Sequence, residues 1–220
     1  MLETSLNIAH AAPVSGIVEA ELGDRACLRG AGLTVFRRSL PGELVRWVES
    51  LPVKNLPSFR ILVRTVDLPR ALDDAHLFGA LEDSPARQML AKDIATQARF
   101  FGEAAKSEWV DLRLEAIHGN ACWKFHRDFV SRRLLTTYRG PGTQWVQPSH
   151  AEAALRQQHR YKGPIEVAPA HAVLLFQNLL NQDEAAGIVH RSPAIAHSKQ
   201  TRLLLCLNER GAWSPQPWRT

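Results

Sequence analysis

The sequence predicts an α+β fold in one domain, with a mostly helical N-terminal layer over residues 1–108 packed on an all-β jelly roll over residues 109–220. Three observations predict it. The 220 residues, 45% of them hydrophobic, suit a single core of sandwich or barrel size. The clearest helical signal precedes Trp109. After Trp109 the apolar period switches to alternation, in short segments separated by turn residues.

The elements follow in chain order. Pro41 to Ser50 reads as a short helix, with Ser39 before it and Leu51-Pro52 ending it. Phe59 to Val66 has β-branched character and sets Phe59, Ile61 and Val63 on one face, which predicts a strand. Ser84-Pro85 opens the clearest helix. Serine caps it, proline takes the first helical position, and Leu90, Ile94, Ala98 and Phe101 form an apolar stripe that packs on the outside of a sheet. Asp111 to Ile117 alternates, with Leu112 and Leu114 on one face; Gly119-Asn120 turns the chain, and Ala121 to Asp128 alternates again. Arg133 to Tyr138 is the next strand, stopped by Gly140-Pro-Gly142. His150 to Arg160 reads either as a short helix or as an irregular excursion, and Gly140 to Trp145 either as a hairpin or as a wall over a substrate. Ala172 to Asn178, Gly187 to Arg191 and Arg202 to Asn208 are the last three strands.

Composition narrows the function classes. No apolar run approaches the roughly 18 residues of a membrane span, and the N-terminus lacks a basic region followed by an apolar stretch, so a cytoplasmic protein without membrane association is expected. Cys27, Cys122 and Cys206 are odd in number and widely spaced, which excludes a disulfide framework or a zinc ribbon and predicts small buried side chains. From Ala121 onward the chain carries 13 Lys and Arg against 6 Asp and Glu. That excess fits either an anionic ligand or a solvated Arg-rich surface. No stripe of basic residues interleaved with aromatics points to nucleic acid.

The chemistry concentrates in the same half. His126 and Asp128, within Cys122-Trp-Lys-Phe-His-Arg-Asp128, stand two residues apart, so an extended chain points both the same way. With His190 on a later strand they form the His-x-Asp…His order of a non-haem iron(II) site, in which two imidazoles and a carboxylate hold one face of the ion and leave positions open. Arg202, at the start of an apolar strand, could grip the distal carboxylate of 2-oxoglutarate through its planar fork; Lys199 and Arg191 compete for that role. Tyr138 shares a strand face with Thr136. Its phenol either donates to a co-substrate carboxylate or belongs to a core aromatic. There is no G-x-S-x-G, P-loop or G-x-G-x-x-G, and nothing marks Cys122 as an activated nucleophile.

These residues resemble known proteins at two levels. His126-Arg-Asp128, Arg133-Leu-Leu-Thr-Thr-Tyr138, Ala168 to Asn178, and His190 with Arg202 look like the double-stranded β-helix core of 2-oxoglutarate- and iron(II)-dependent dioxygenases, above all the prolyl-hydroxylase type. Leu134 to Trp145 and Val189-His-Arg-Ser-Pro193 resemble an uncharacterised bacterial family, domain of unknown function 1826 (DUF1826), over most of the chain.

The first resemblance implies a hydroxylase in which His126, Asp128 and His190 bind iron(II), Arg202 and Tyr138 bind 2-oxoglutarate, and the substrate is a small molecule or a protein. The second implies a metal role through an association with genes of zinc starvation. Two rivals accompany the oxygenase. One is a non-catalytic, cupin-like metal-binding protein in zinc homeostasis, with His171 or Cys122 as a further ligand. The other is a cupin-like module that binds a small anion or sugar without metal. The chain departs from the dioxygenase pattern where Ala170-His171 replaces the usual Gly-Asp or Gly-Ser turn, and where the basic residue after the second histidine falls late.

Overall fold

Residues 16–21, 31–79, 81–178, 187–198 and 200–219 are described by this computed structural model, and among them the strands gather into one large and one small sheet. The strands are β1 (Gly16–Glu21), β2 (Ala31–Arg37), β3 (Phe59–Arg64), β4 (Trp109–Ile117), β5 (Arg132–Arg139), β6 (Gln144–Trp145), β7 (Glu166–Val167), β8 (Val173–Gln177), β9 (His190–Arg191) and β10 (Arg202–Glu209). The large sheet runs β1-β2-β8-β5-β10-β4-β3 and the small one β7-β6-β9. All pairs are antiparallel except β1 with β2.

Alternation along the strands divides the core in two. On one face of the large sheet Leu112, Leu114, Leu134, Tyr138, Leu203, Leu205 and Leu207 pack under α1 (Gly42–Ser50), α2 (Leu68–Leu72) and α3 (Pro85–Ala105). On the other, Leu33, Val35, Leu135, Leu174, Phe176, Leu204 and Cys206 meet Trp145 and Ile188 from the small-sheet side. The small sheet's outer part rests on α4 (Ala151–Gln157) through Phe125, Val146, Ala154 and Tyr161.

Helix α3 forms as its sequence dictates. Ser84 accepts a hydrogen bond from the Arg87 amide at 3.2 Å, Pro85 occupies the first turn, and Leu90, Ile94, Ala98 and Phe101 are fully buried against the sheet. Lys106 ends it in the left-handed region, at φ 52°. Strand β3 buries Ile61 and Val63 with Phe59 beside them, as its alternation predicts. Helix α1 spans 42–50, but Ser39 does not cap it; Pro41 precedes its first turn.

Three expectations change. The N-terminal half is not chiefly a helical layer, because β1, β2 and β3 join the large sheet. Strand β2 is buried on both faces, so it shows no alternation to mark it. The stretch from Ala121 to Asp128 is not a regular strand but a loop with one bridge, His126 to His190. Cys122 adopts φ 51°, and the Phe125 amide and carbonyl are both taken by the side-chain amide of Gln158, so the ladder cannot continue. Finally, the strand expected over Gly187–Arg191 is reduced to His190–Arg191. Cys206 is buried as expected, Cys122 is exposed, and Cys27 lies outside the described residues.

Candidate metal centre

The loop before β5 and the short strand β9 meet at His126 and His190. Each donates its backbone amide to the other's carbonyl at 3.0 Å. This is the hydrogen-bonded pair of an antiparallel ladder, so the two side chains emerge on the same side. Asp128 lies two residues on. Its backbone carbonyl accepts from Asn178 Nδ2 at 3.1 Å. His126 Nε2 stands 3.8 Å from Asp128 Oδ1, and His190 Nε2 stands 3.5 Å from Oδ2. One ligand atom from each residue lies within 4.8 Å of the others.

Both imidazoles are oriented from behind. His126 Nδ1 sits 2.8 Å from the Lys124 carbonyl and His190 Nδ1 3.0 Å from the Ile188 carbonyl. A carbonyl only accepts, so Nδ1 carries a proton in each ring, and a neutral ring so held presents its Nε2 lone pair inward. Phe176 covers His190 at 4.3 Å between centroids. Burial lowers the His190 pKa to about 4 against the opposing pull of the Asp128 carboxylate, so the ring is neutral at physiological pH.

The donor set fits a cation. Asp128 Oδ2 is buried without a hydrogen-bond partner, an arrangement that costs about 1–3 kcal/mol unless something positive completes it. Nε2 of each imidazole and the Asp128 carboxylate converge on one point. Among the described residues the group has three members. His171 stays apart, with its Nδ1 3.3 Å from the Thr137 carbonyl, and Cys122 does not join the group although it reaches the same cavity.

That cavity, about 90 Å³, is walled by His126, Arg133, Thr143, His190, Ser192 and Cys206. Behind its wall lies Arg202, fully buried on central strand β10. Its guanidinium donates to Ser192 Oγ at 2.8 Å and to Thr137 Oγ1 and Thr143 Oγ1 at 3.2 Å each, while Nε has no partner. Among the described residues no carboxylate forms an ion pair with it, although the Glu115 charge across the cavity partly opposes the effect of burial. Burial lowers its pKa to about 10, which leaves it cationic at neutral pH. Gly140 makes the close approach possible: at φ 80°, its backbone passes so near that a β-carbon would sit 2.5 Å from the Thr201 carbonyl.

Of the residues singled out in the sequence, the structure brings His126, Asp128 and His190 together and sets Arg202 beside them. It does not bring Tyr138. That side chain points to the helical face, where its hydroxyl donates to Asp93 Oδ2 at 2.6 Å and Arg38 Nη1 reaches Asp93 Oδ1 at 2.5 Å. Burial, with the Asp93 charge beside it, pushes the Tyr138 phenol pKa well up. Arg191 lines the same cavity, lies over the Phe125 ring at 4.2 Å and donates to Gln144, and Lys199 is outside the described residues. Sequence reasoning missed Arg133, whose guanidinium bonds Asp128 Oδ1, and the hydroxyls around Arg202. Thr143 and Ser192 fall inside the two motifs that carry the family resemblance, which was the available signal.

A family model described as a protein of unknown function, DUF1826, matches residues 25–208. No curated protein matches the chain. Among solved structures, the chain is similar to dioxygenase for auxin oxidation 1 of Arabidopsis thaliana in its binary complex with 2-oxoglutarate, at 11% identity and TM-score 0.48, covering 92% of this chain and 96% of that one. A Pseudomonas putida prolyl-4-hydroxylase is similar at 12% identity and TM-score 0.41, over 81% and 89%. The Kdo hydroxylase KdoO, a non-haem iron(II) α-ketoglutarate-dependent dioxygenase, is similar at 12% identity and TM-score 0.45, over 89% and 90%. No helix among the described residues is long and apolar enough to cross a membrane.

Proposed function

Because the chain belongs to the DUF1826 family, described only as of unknown function, we propose its activity from the site itself: an iron(II)- and 2-oxoglutarate-dependent oxygenase, its two sheets forming a jelly roll. The observation that carries this reading is a buried guanidinium that forms no ion pair among the described residues, held by three hydroxyls beside three converging metal donors. A buried cation is expensive to leave unpaired, and a carboxylate ligand would complete it.

His126, Asp128 and His190 would hold the ion and leave its remaining positions to co-substrate and oxygen. When bound, iron(II) supplies the activation of oxygen that 2-oxoglutarate decarboxylation drives. The protein's own part is positioning. The Lys124 and Ile188 carbonyls keep each Nε2 facing inward. Arg202 supplies the fixed charge for the distal carboxylate. Ser192, Thr137 and Thr143 each accept from Arg202, which frees their own hydroxyl protons to donate to the same carboxylate. Phe176 and the apolar face between the sheets shield His190, while His126, its side chain 35% exposed, leaves the centre open on one side. A closed zinc site takes four protein ligands; the three-member group among the described residues supports the open, catalytic alternative over storage.

Replacing Arg202 with Gln tests this. 2-Oxoglutarate affinity, measured by calorimetry on the manganese(II)-loaded protein, falls by more than about 100-fold, roughly 3 kcal/mol, while metal affinity stays within a few fold. Equal loss of both refutes the assignment.

A further inference from the structure

Asp128 is fixed at its backbone by Asn178 and at Oδ1 by Arg133, while Oδ2, 3.5 Å from His190 Nε2, is the carboxylate oxygen without a hydrogen bond. Arg133 is itself locked. Its Nε donates to Asn208 Oδ1 at 2.8 Å, and the two residues are direct cross-strand partners on β5 and β10. The guanidinium thus comes from the rigid centre of the large sheet and reaches out to a loop carboxylate. It also walls the cavity.

We propose that Arg133 is a positioning residue that restricts Asp128 to a single metal-binding oxygen. The proposal rests on the metal reading above. A free carboxylate can chelate an ion through both oxygens and so take two of its positions. Here the second oxygen is engaged in a charge-assisted hydrogen bond. Recruiting it would break that bond and strip a half-buried cation of its acidic partner. Three protein donors therefore remain three, and the positions opposite stay open for co-substrate and oxygen. An aspartate released from Arg133 would close one of those positions and move the centre toward the four-donor set of a structural zinc site. Arg133 would then decide between an open and a closed centre with the same three residues.

An ion pair that only ties the loop to the sheet would change stability and leave coordination untouched. The two roles separate in the manganese(II)-loaded protein, where water proton relaxation across a range of fields counts the inner-sphere waters. Arg133→Met is expected to hold one water fewer than wild type, and Arg133→Lys to restore the count. Asn208→Ala keeps Arg133 but frees its stem, and a count between those of wild type and Arg133→Met is expected; this variant carries the test if Arg133→Met does not fold. Unchanged counts in Arg133→Met or, failing that, in Asn208→Ala overturn the proposal alone. A wild-type protein that binds no manganese overturns the metal reading and this proposal with it.

Discussion

His126 and His190 exchange two backbone hydrogen bonds of 3.0 Å and hold their rings 4.5 Å apart at the centroids. They are distant in sequence, yet this single bridge between a loop and a two-residue strand makes them neighbours. The bridge depends on main-chain atoms, so it should survive loss of either ring.

His190→Ala, or His126→Ala, is therefore expected to abolish stoichiometric metal while keeping the fold. Affinity should fall by well over 100-fold, since outer partners of a ligand alone are worth about 10–100-fold. Elemental analysis of the dialysed protein, paired with circular dichroism, checks both halves. Bound metal at wild-type stoichiometry in either variant would remove that histidine from the centre.

Thr143→Val keeps the shape of the Arg202 cage and removes one hydroxyl. It should weaken 2-oxoglutarate by about 5- to 10-fold, on the order of 1 kcal/mol, with metal affinity unaltered. Calorimetry on the manganese(II)-loaded variant reads both. A 2-oxoglutarate affinity equal to wild type would detach the cage from the co-substrate.

Tyr138→Phe should behave in the opposite way. Its hydroxyl serves Asp93 on the helical face, so the change costs about 1–3 kcal/mol of stability and leaves 2-oxoglutarate binding alone. Denaturant melts beside ligand titration decide it. Weakened co-substrate binding with unchanged stability would return Tyr138 to the site.

The metal-free protein should lose stability in acid partly through His190. Its folded pKa, lowered to about 4 by burial, lies below the ordinary 6.5. The unfolded chain therefore takes up the proton first. This contribution is fully present above pH 6.5 and is lost as pH falls from there through about 4, up to roughly 3 kcal/mol. Unfolding of wild type and His190→Gln compared between pH 7 and pH 4 should show a shallower decline in the variant. Parallel declines would place the titration elsewhere.

Much of this was legible in the sequence because local rules govern it. Helix α3 follows from Ser84, Pro85 and its apolar stripe, and β4, β5, β8 and β10 follow from alternation or an apolar run bounded by turns. The donors His126, Asp128 and His190 were legible by type and order. What failed depends on partners far away in the chain. Strand β2 is buried on both faces and gives no period to read. The loop from Ala121 to Asp128 alternates like a strand, but Gln158 takes the Phe125 hydrogen bonds that a ladder would need. Tyr138 and Arg133 lie on opposite faces of β5, and only the sheet's packing says which face meets the metal donors. The single hydrogen bond from Arg133 to Asp128 is a contact across five residues of loop and strand that no spacing rule anticipates.

The central claim is that the triad and Arg202 together bind metal and 2-oxoglutarate. Its most direct test is anaerobic titration of the iron(II)-loaded protein with 2-oxoglutarate, followed by visible absorption. The account predicts a weak charge-transfer band that saturates in wild type, requires a much higher concentration in Arg202→Gln, and is absent in His190→Ala. A wild-type protein that holds iron stoichiometrically but develops no band would contradict the oxygenase and leave metal binding without this co-substrate.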